Sequence, residues 1–316
     1  MKTAVRPQTG LLVLLLLILL VGVALVLLVA RPTLSFGQDE VPEVDPHAGQ
    51  VYLYDGFDWV WMTPLEGVPV NDFAKDEFQL INGSPVYVGG KYDTLLGIDV
   101  SEHQHEIDWA KVKQSGVDFA YIRLGRRGYT EGGLFMDPWF EKNYAGAGEN
   151  AILRGVYFYS QAITEEEARE EAEFVLSRLD GKEIDLPIVY DWEKISNEDA
   201  DIARTKDLDM EARTDCAIAF CETVKNAGYE ATIYFNRNLG YYGYDLSRLT
   251  DYNFWFALFL NPPDLFWPSF YYKLDLWQFS DVGQVPGIEY ETDLNMMFIP
   301  LPQAEAEPEA EASPTP

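Results

Sequence analysis

Between Leu95 and Pro300 eight short apolar runs recur: Leu95–Val100, Phe119–Leu124, Gly155–Tyr159, Ile188–Trp192, Ala231–Phe235, Phe254–Phe259, Leu274–Phe279 and Asn295–Ile299. Each is short enough for a strand and too short for a buried helix. Helical periodicity near Ile107–Ser115, Pro138–Asn150, Glu165–Leu179 and Met210–Asn226 separates the first five, and Thr164 followed by Glu167 has the pattern of a capped helix start. Beyond Phe235 the spacers are shorter and poor in helix signals. A strand–helix alternation without a Gly-rich phosphate loop predicts an α/β fold. The expected form is an irregular (β/α) TIM-like barrel whose last strands lack regular helices, rather than an open doubly wound sheet.

The flanks read differently. Leu11–Ala30 is an unbroken apolar run, about the twenty residues a helix needs to cross a bilayer and longer than a signal-peptide core. Lys2 and Arg6 precede it, and Asp39, Glu40, Glu43 and Asp45 follow it, so the charge bias leaves residues 1–10 in the cytoplasm and the remainder outside. The expectation is a single-pass signal anchor in the cell membrane with an extracytoplasmic domain, or a secreted protein if the segment is cleaved. Residues 31–50, acidic and Pro-containing, suit a linker. Residues 51–92 carry short aromatic and β-branched pieces broken by Asn82-Gly83 and Gly89-Gly90, which predicts small β-hairpins leading into a barrel over residues 93–301. The Pro/Ala/Glu tract 302–316 has no apolar face and reads as a disordered acidic tail.

Charge excludes one class of partner. With Lys+Arg 23 against Asp+Glu 52 and a formal net charge of −29, the chain lacks the clustered cations that phosphate neutralisation needs, so no nucleic acid is expected. Aromatics make up 14% of residues, including 8 Trp and 19 Tyr, and rings beside carboxylates are what sugar-binding clefts use. Cys216 and Cys221 lie five apart in one predicted helix, face different directions and read as buried small hydrophobes. The pair His103 and His105 near Asp99 lacks further spaced ligands, so neither metal nor cofactor is expected. A monomer is expected.

The strand at Ile188 ends in Asp191-Trp192-Glu193, two carboxylates at i and i+2 that face the same way. Chance alone supplies roughly eight acid-x-acid triplets at this composition. Position gives this one weight, because strand C-termini converge on the mouth of such a barrel. Asp99 ends the first strand similarly and would join the pair. Crowded carboxylates cannot all ionise cheaply, so one should keep a proton near neutrality, as a general acid must. The bland reading has these acids capping segments or pairing with Arg123 or Arg126.

The ordered series Gly97-Ile98-Asp99-Val100-Ser101, Ile107-Asp108-Trp109, Phe119-Ala120-Tyr121-Ile122-Arg123, Gly155-Val156-Tyr157, Leu186-Pro187…Asp191-Trp192-Glu193, Trp277-Gln278-Phe279-Ser280 and Asp293-Leu294-Asn295 resembles glycoside hydrolase family 25. The resemblance spans about residues 95 to 300. It implies a lysozyme-type N-acetylmuramidase acting on peptidoglycan glycan strands at the β-1,4 bond between N-acetylmuramic acid and N-acetylglucosamine. It further implies Glu193 as general acid, Asp191 as the acid beside it, and Asp99 and Asp293 completing the cluster. Three departures stand out: Gln104 is followed by His105 where the family has Gln-Gly, Phe158 replaces a common histidine, and Phe254–Phe259 is apolar where an exposed Tyr is usual. They bear on subsite preference, since all four acids remain.

Tyr157, Tyr159, Tyr234, Trp255 and Trp277 fall on strands, and with Gln278 they are the candidate sugar-binding residues. The attack on the opposite face stays open: a carboxylate nucleophile needs about 5–5.5 Å between carboxyls, an activated water about 6.5–9.5 Å, and an N-acetyl substrate has its own amide oxygen. Two other readings are a chitinase-like barrel glycosidase, whose acid series along one strand is interrupted here by Val189 and Tyr190, and a non-catalytic wall-binding module, which has little need for a desolvated Glu193.

Overall fold

The computed structural model describes residues 45–302 apart from 197 and 261–264. The chain divides into Met1–Ala48 and Gly49–Pro316, and the barrel lies in the second unit. The apolar run Leu11–Ala30 and the tail from 303 onward lie outside the described residues. Among the described residues no helix is long and apolar enough to cross a membrane.

Two antiparallel hairpins come first, β1 (Val51–Tyr54) with β2 (Trp59–Met62) and β3 (Phe78–Ile81) with β4 (Ser84–Tyr87). The second turns at Asn82-Gly83, both at positive φ (54° and 84°), the geometry that selects Asn-Gly in tight hairpins. Then come β5 (Tyr92–Val100), α1 (Trp109–Gln114), β6 (Phe119–Arg127), β7 (Leu134–Met136), α2 (Phe140–Glu149), β8 (Leu153–Ser160) and α3 (Glu165–Arg178). The remaining elements are β9 (Ile188–Trp192), α4 (Met210–Asn226), β10 (Ala231–Asn236), β11 (Asn253–Ala257), β12 (Leu276–Gly283) and β13 (Thr292–Pro300). Thr164 caps α3 by accepting from the Glu167 N–H at 3.3 Å, and the Glu167 carboxylate accepts from the Ile163 N–H.

The structure is mixed α/β around a closed eight-stranded barrel. Its ring order is β5-β6-β8-β9-β10-β11-β12-β13, with β13 returning to β5, while β7 folds back on the end of β6. The ring strands from β5 to β12 run parallel, but β13 is antiparallel to both neighbours. The irregularity expected at the last strands includes a reversal of strand direction that the (β/α) reading did not contain. An antiparallel last strand needs only a short connection from β12, which is why no helix precedes it. Among the described residues past β10 the spacers hold only short helical turns at Leu239–Gly243 and Leu246–Arg248.

Strand alternation sends one face of each strand to the helices and the other inside. Outward residues such as Ile122, Tyr190 and Phe235 join the large outer core, whereas Phe119, Tyr121, Val189, Tyr234, Trp255 and Leu276 fill the barrel. The interior rings are large, so glycine stands beside them: Gly155 pairs with Tyr121 and Gly97 with Phe119. A β-carbon on Gly155 would come within 2.3 Å of the Tyr121 ring. Gly155→Ala should therefore lower stability by about 1–3 kcal/mol through overpacking, read as a lower denaturant midpoint with unchanged slope.

Candidate active site

The C-terminal ends of the parallel strands open on a cleft of about 690 Å³. Asp99 enters from β5, Asp191 from β9 and Glu193 just beyond it, while Asp293 stands opposite Asp99 in the β13–β5 register. All four predicted acids line the one cleft. Asp99 and Asp191 are buried, and Glu193 and Asp293 half-buried.

Amides hold the first of these acids. Asn295 Nδ2 and Gln278 Nε2 both donate to Asp99 Oδ2, at 2.8 and 2.9 Å. Their orientation is fixed from behind. The Trp255 indole, which can only donate, gives its Nε1–H to Asn295 Oδ1 at 2.9 Å, and the Tyr234 hydroxyl donates to Gln278 Oε1 at 2.8 Å. Asp293 also hydrogen-bonds Asp99, which lowers Asp99 and raises Asp293. Three donors converge on Asp99, so it is the anion of the pair, although burial still raises it above the ordinary value. Burial, then the Asp99 charge, pushes Asp293 up to about 10, so Asp293 holds the proton.

The second pair is arranged differently. Burial, the neighbouring Glu193 and Asp99 raise Asp191 well above the usual carboxylate range, against the opposing pull of Arg123. Its Oδ1 is buried without a hydrogen-bond partner. Burial and the Asp99 charge push Glu193 up to about 7. The strand end under Glu193 is pinned: Gln161 Nε2 donates to the Glu193 carbonyl at 2.9 Å, and Gln161 Oε1 accepts from Thr205 Oγ1 at 3.0 Å. Arg123 does not pair with these acids. It binds Asp137 at 2.8 Å and Glu102 at 2.9 Å, bracing the rim.

Of the predicted sugar-binding residues, Tyr157, Tyr159, Tyr234, Trp255 and Gln278 line the cleft. Trp255 is the floor: it stacks on Tyr121 at 4.8 Å and meets Tyr157 and Tyr234 edge-on. Trp277 does not reach the cleft, which corrects that expectation. Adjacent strand residues face opposite ways, so with Gln278 inside, Trp277 lies fully buried behind the barrel against Phe78 and Phe279, its Nε1 donating to Leu258 O. Sequence reasoning missed Asn295 as a partner of Asp99, and the half-exposed ring of Phe259 at the rim. His103 reaches the rim while His105 packs on Tyr290, and among the described residues no group of three or more His, Cys, Asp or Glu is placed to hold a metal.

A proton-bearing glutamic acid among carboxylates, at the mouth of a barrel beside aromatic walls, defines a glycoside-cleaving site. The model for glycosyl hydrolases family 25 matches residues 98–288, more than half of the chain, and the chain belongs to that family. It is a glycoside hydrolase. The uncharacterised protein YegX of Escherichia coli (strain K12) is 31% identical over 218 residues, covering 64% of this chain and 69% of that protein. The autolytic lysozyme of Clostridium acetobutylicum is 27% identical over 203 residues, 64% of this chain and 55% of the relative. Among solved structures, the modular autolysin LytC of Streptococcus pneumoniae, in complex with a synthetic peptidoglycan ligand, superposes with a TM-score of 0.57 at 24% identity. That match covers 69% of this chain and 51% of LytC, so the chain spans about half of that protein's length and the likeness is one of fold.

Proposed function

We propose that this enzyme is a muramidase, hydrolysing the β-1,4 bond between N-acetylmuramic acid and N-acetylglucosamine in peptidoglycan. The observation that carries the reading is the pairing of Glu193, half-buried with a pKa near 7, with the orphaned buried oxygen of Asp191. Family membership and the lysozyme and autolysin names of its relatives support the same substrate.

Glu193 protonates the glycosidic oxygen as the bond breaks, with Asp191 beside it. Asp191 has an acceptor that no group among the described residues fills, and we assign it the amide N–H of a 2-acetamido group. That hydrogen bond turns the acetyl oxygen toward the anomeric carbon, so the substrate supplies its own nucleophile; water then opens the cyclic intermediate with Glu193 as base. Asp99, fixed by Asn295, Gln278 and Asp293, supplies the negative field that keeps Glu193 protonated and stabilises the developing positive charge. The cleft is built from one chain, so a monomer suffices.

We place the enzyme outside the cell, tethered through Leu11–Ala30. A chain of net charge −29 has no electrostatic attraction to an anionic wall, and a tether replaces it. Incubated with purified peptidoglycan, the enzyme should clear the suspension and release new reducing sugars. A suspension that keeps its turbidity and yields no reducing ends contradicts the reading.

A further inference from the structure

We propose that the N-terminal hairpin, outside the family-matched residues, extends the catalytic cleft into a second subsite in which Arg237 binds a carboxylate carried by a muramic acid residue of the glycan. This rests on the muramidase reading and adds to it a subsite whose arginine lies within residues 98–288 and whose far wall lies outside them.

A groove of about 440 Å³ continues from the cleft, sharing Glu193, Tyr234 and Phe259 with it. Its far wall is the β1–β2 turn, Asp55-Gly56-Phe57, and its floor is Arg237, just past the end of β10. A polymer lying across Glu193 can therefore contact the cleft and the groove together.

The turn is built to hold this shape. Asp55 Oδ1 accepts from the Phe57 and Asp58 N–H groups at 2.8 and 2.9 Å, and Oδ2 accepts from the Tyr242 hydroxyl. Gly56 sits at φ 112°, and a β-carbon there would meet the Arg237 stem at 3.4 Å, so the turn backbone lies directly on the arginine. The segment after the hairpin is strapped to the loop before β12: Leu65 N–H donates to the Tyr272 hydroxyl at 2.9 Å, and Asn71 Nδ2 to the Phe270 carbonyl at 3.0 Å. Phe57 is 69% exposed at the rim, an apolar face free to stack on a sugar ring.

Arg237 is the chemical core of the subsite. It is 6% exposed, its Nη2 donates to the Ser269 carbonyl and hydroxyl at 3.0 and 2.6 Å, and its Nε is buried with no partner. Among the described residues no carboxylate lies within ion-pair distance of it. Asp55, in the turn, spends three hydrogen bonds on Phe57, Asp58 and Tyr242, and its charge acts on Arg237 only without contact. A buried guanidinium costs stability unless an anion meets it, and Arg237 is met instead by Ser269 and by the Tyr54 ring, 5.5 Å from its Cζ. A guanidinium that lines a groove joined to a glycan cleft, without an ion-pair partner among the described residues, matches a carboxylate on that glycan. Muramic acid carries one on its lactyl ether, and when that is amidated by a stem peptide, the peptide's acidic groups take its place.

The test uses the full chain, Arg237→Gln, Arg237→Lys and Phe57→Ala, with kcat and KM measured on three glycans: strands bearing peptides, strands stripped of peptides, and peptide-bearing strands with carboxyls chemically amidated. For Arg237→Gln, KM should rise roughly tenfold to a hundredfold on at least one carboxylated strand with kcat within about twofold, and Arg237→Lys should recover part of the loss. On amidated strands the unmodified enzyme should lose its advantage and converge on the variant. An effect confined to peptide-bearing strands assigns the stem peptide; an effect on stripped strands assigns the lactyl group. Equal KM for the enzyme and Arg237→Gln on every strand overturns the proposal. If Arg237→Gln does not fold, Phe57→Ala decides: a KM raised about threefold or more supports the subsite, and an unchanged KM overturns it. Lack of turnover by the unmodified enzyme counts instead against the muramidase reading.

Discussion

Glu193→Gln should lower kcat by on the order of 10²–10⁴-fold while leaving the thermal midpoint at pH 5 nearly unchanged. The amide has the shape of the acid but no proton to give, and none of Asp99, Asp293 and Asp191 replaces it. Asp99 is the anion of its pair, and the Asp293 proton is committed to Asp99. Asp191 lies deeper and buried. The same assignment fixes the pH dependence. Glu193 works only while protonated, and burial and Asp99 hold its pKa at about 7, so kcat/KM should fall about tenfold per pH unit above that point. A profile flat to pH 9, or a Glu193→Gln enzyme within a few fold of the original, removes Glu193 from the role of acid.

Asp191→Asn should separate activity from stability. Losing the acid whose unfilled oxygen receives the substrate amide should cost on the order of a hundredfold in kcat. The fold should gain. A carboxyl whose native pKa is raised contributes its stability at low pH and loses it as pH climbs through the native value, because the folded state resists ionising a group that the unfolded chain ionises freely. Asp191 is raised by burial, Glu193 and Asp99. The unmodified enzyme therefore weakens as pH rises above the ordinary carboxylate range, and the asparagine variant escapes that loss. At pH 8 its midpoint should exceed the original by a few degrees, about 1 kcal/mol or more, with the gap closing toward pH 4. Calorimetry across that range checks the sign, and a variant less stable than the original at pH 8 would show that Asp191 is a structural anchor.

Much of this architecture was legible in the residue pattern, because burial imposes it locally. The eight apolar runs became the eight barrel strands, and the four periodic stretches became α1 to α4, within a few residues at each end. Asp191 and Glu193 share a face by strand alternation alone. The same alternation would have placed Trp277 behind the barrel once Gln278 was put inside it. The antiparallel course of β13 was not legible, since hydrophobic periodicity carries no direction. Nor was the amide clamp on Asp99: Gln278 and Asn295 lie 179 and 196 positions away in sequence, and only barrel closure makes them neighbours. The β1–β2 turn read as a lead-in because its partner, Arg237, lies on the far side of the fold's sequence and carries no motif of its own.

On the proposed mechanism the enzyme cuts on the muramic side of the glycosidic oxygen, with Glu193 giving the proton. Peptidoglycan digested by the full chain, reduced with borohydride and analysed by mass spectrometry, should yield new ends that are N-acetylmuramitol, absent from a parallel Glu193→Gln digest. New ends that are N-acetylglucosaminitol, or muramitol ends formed equally by the glutamine variant, would contradict it.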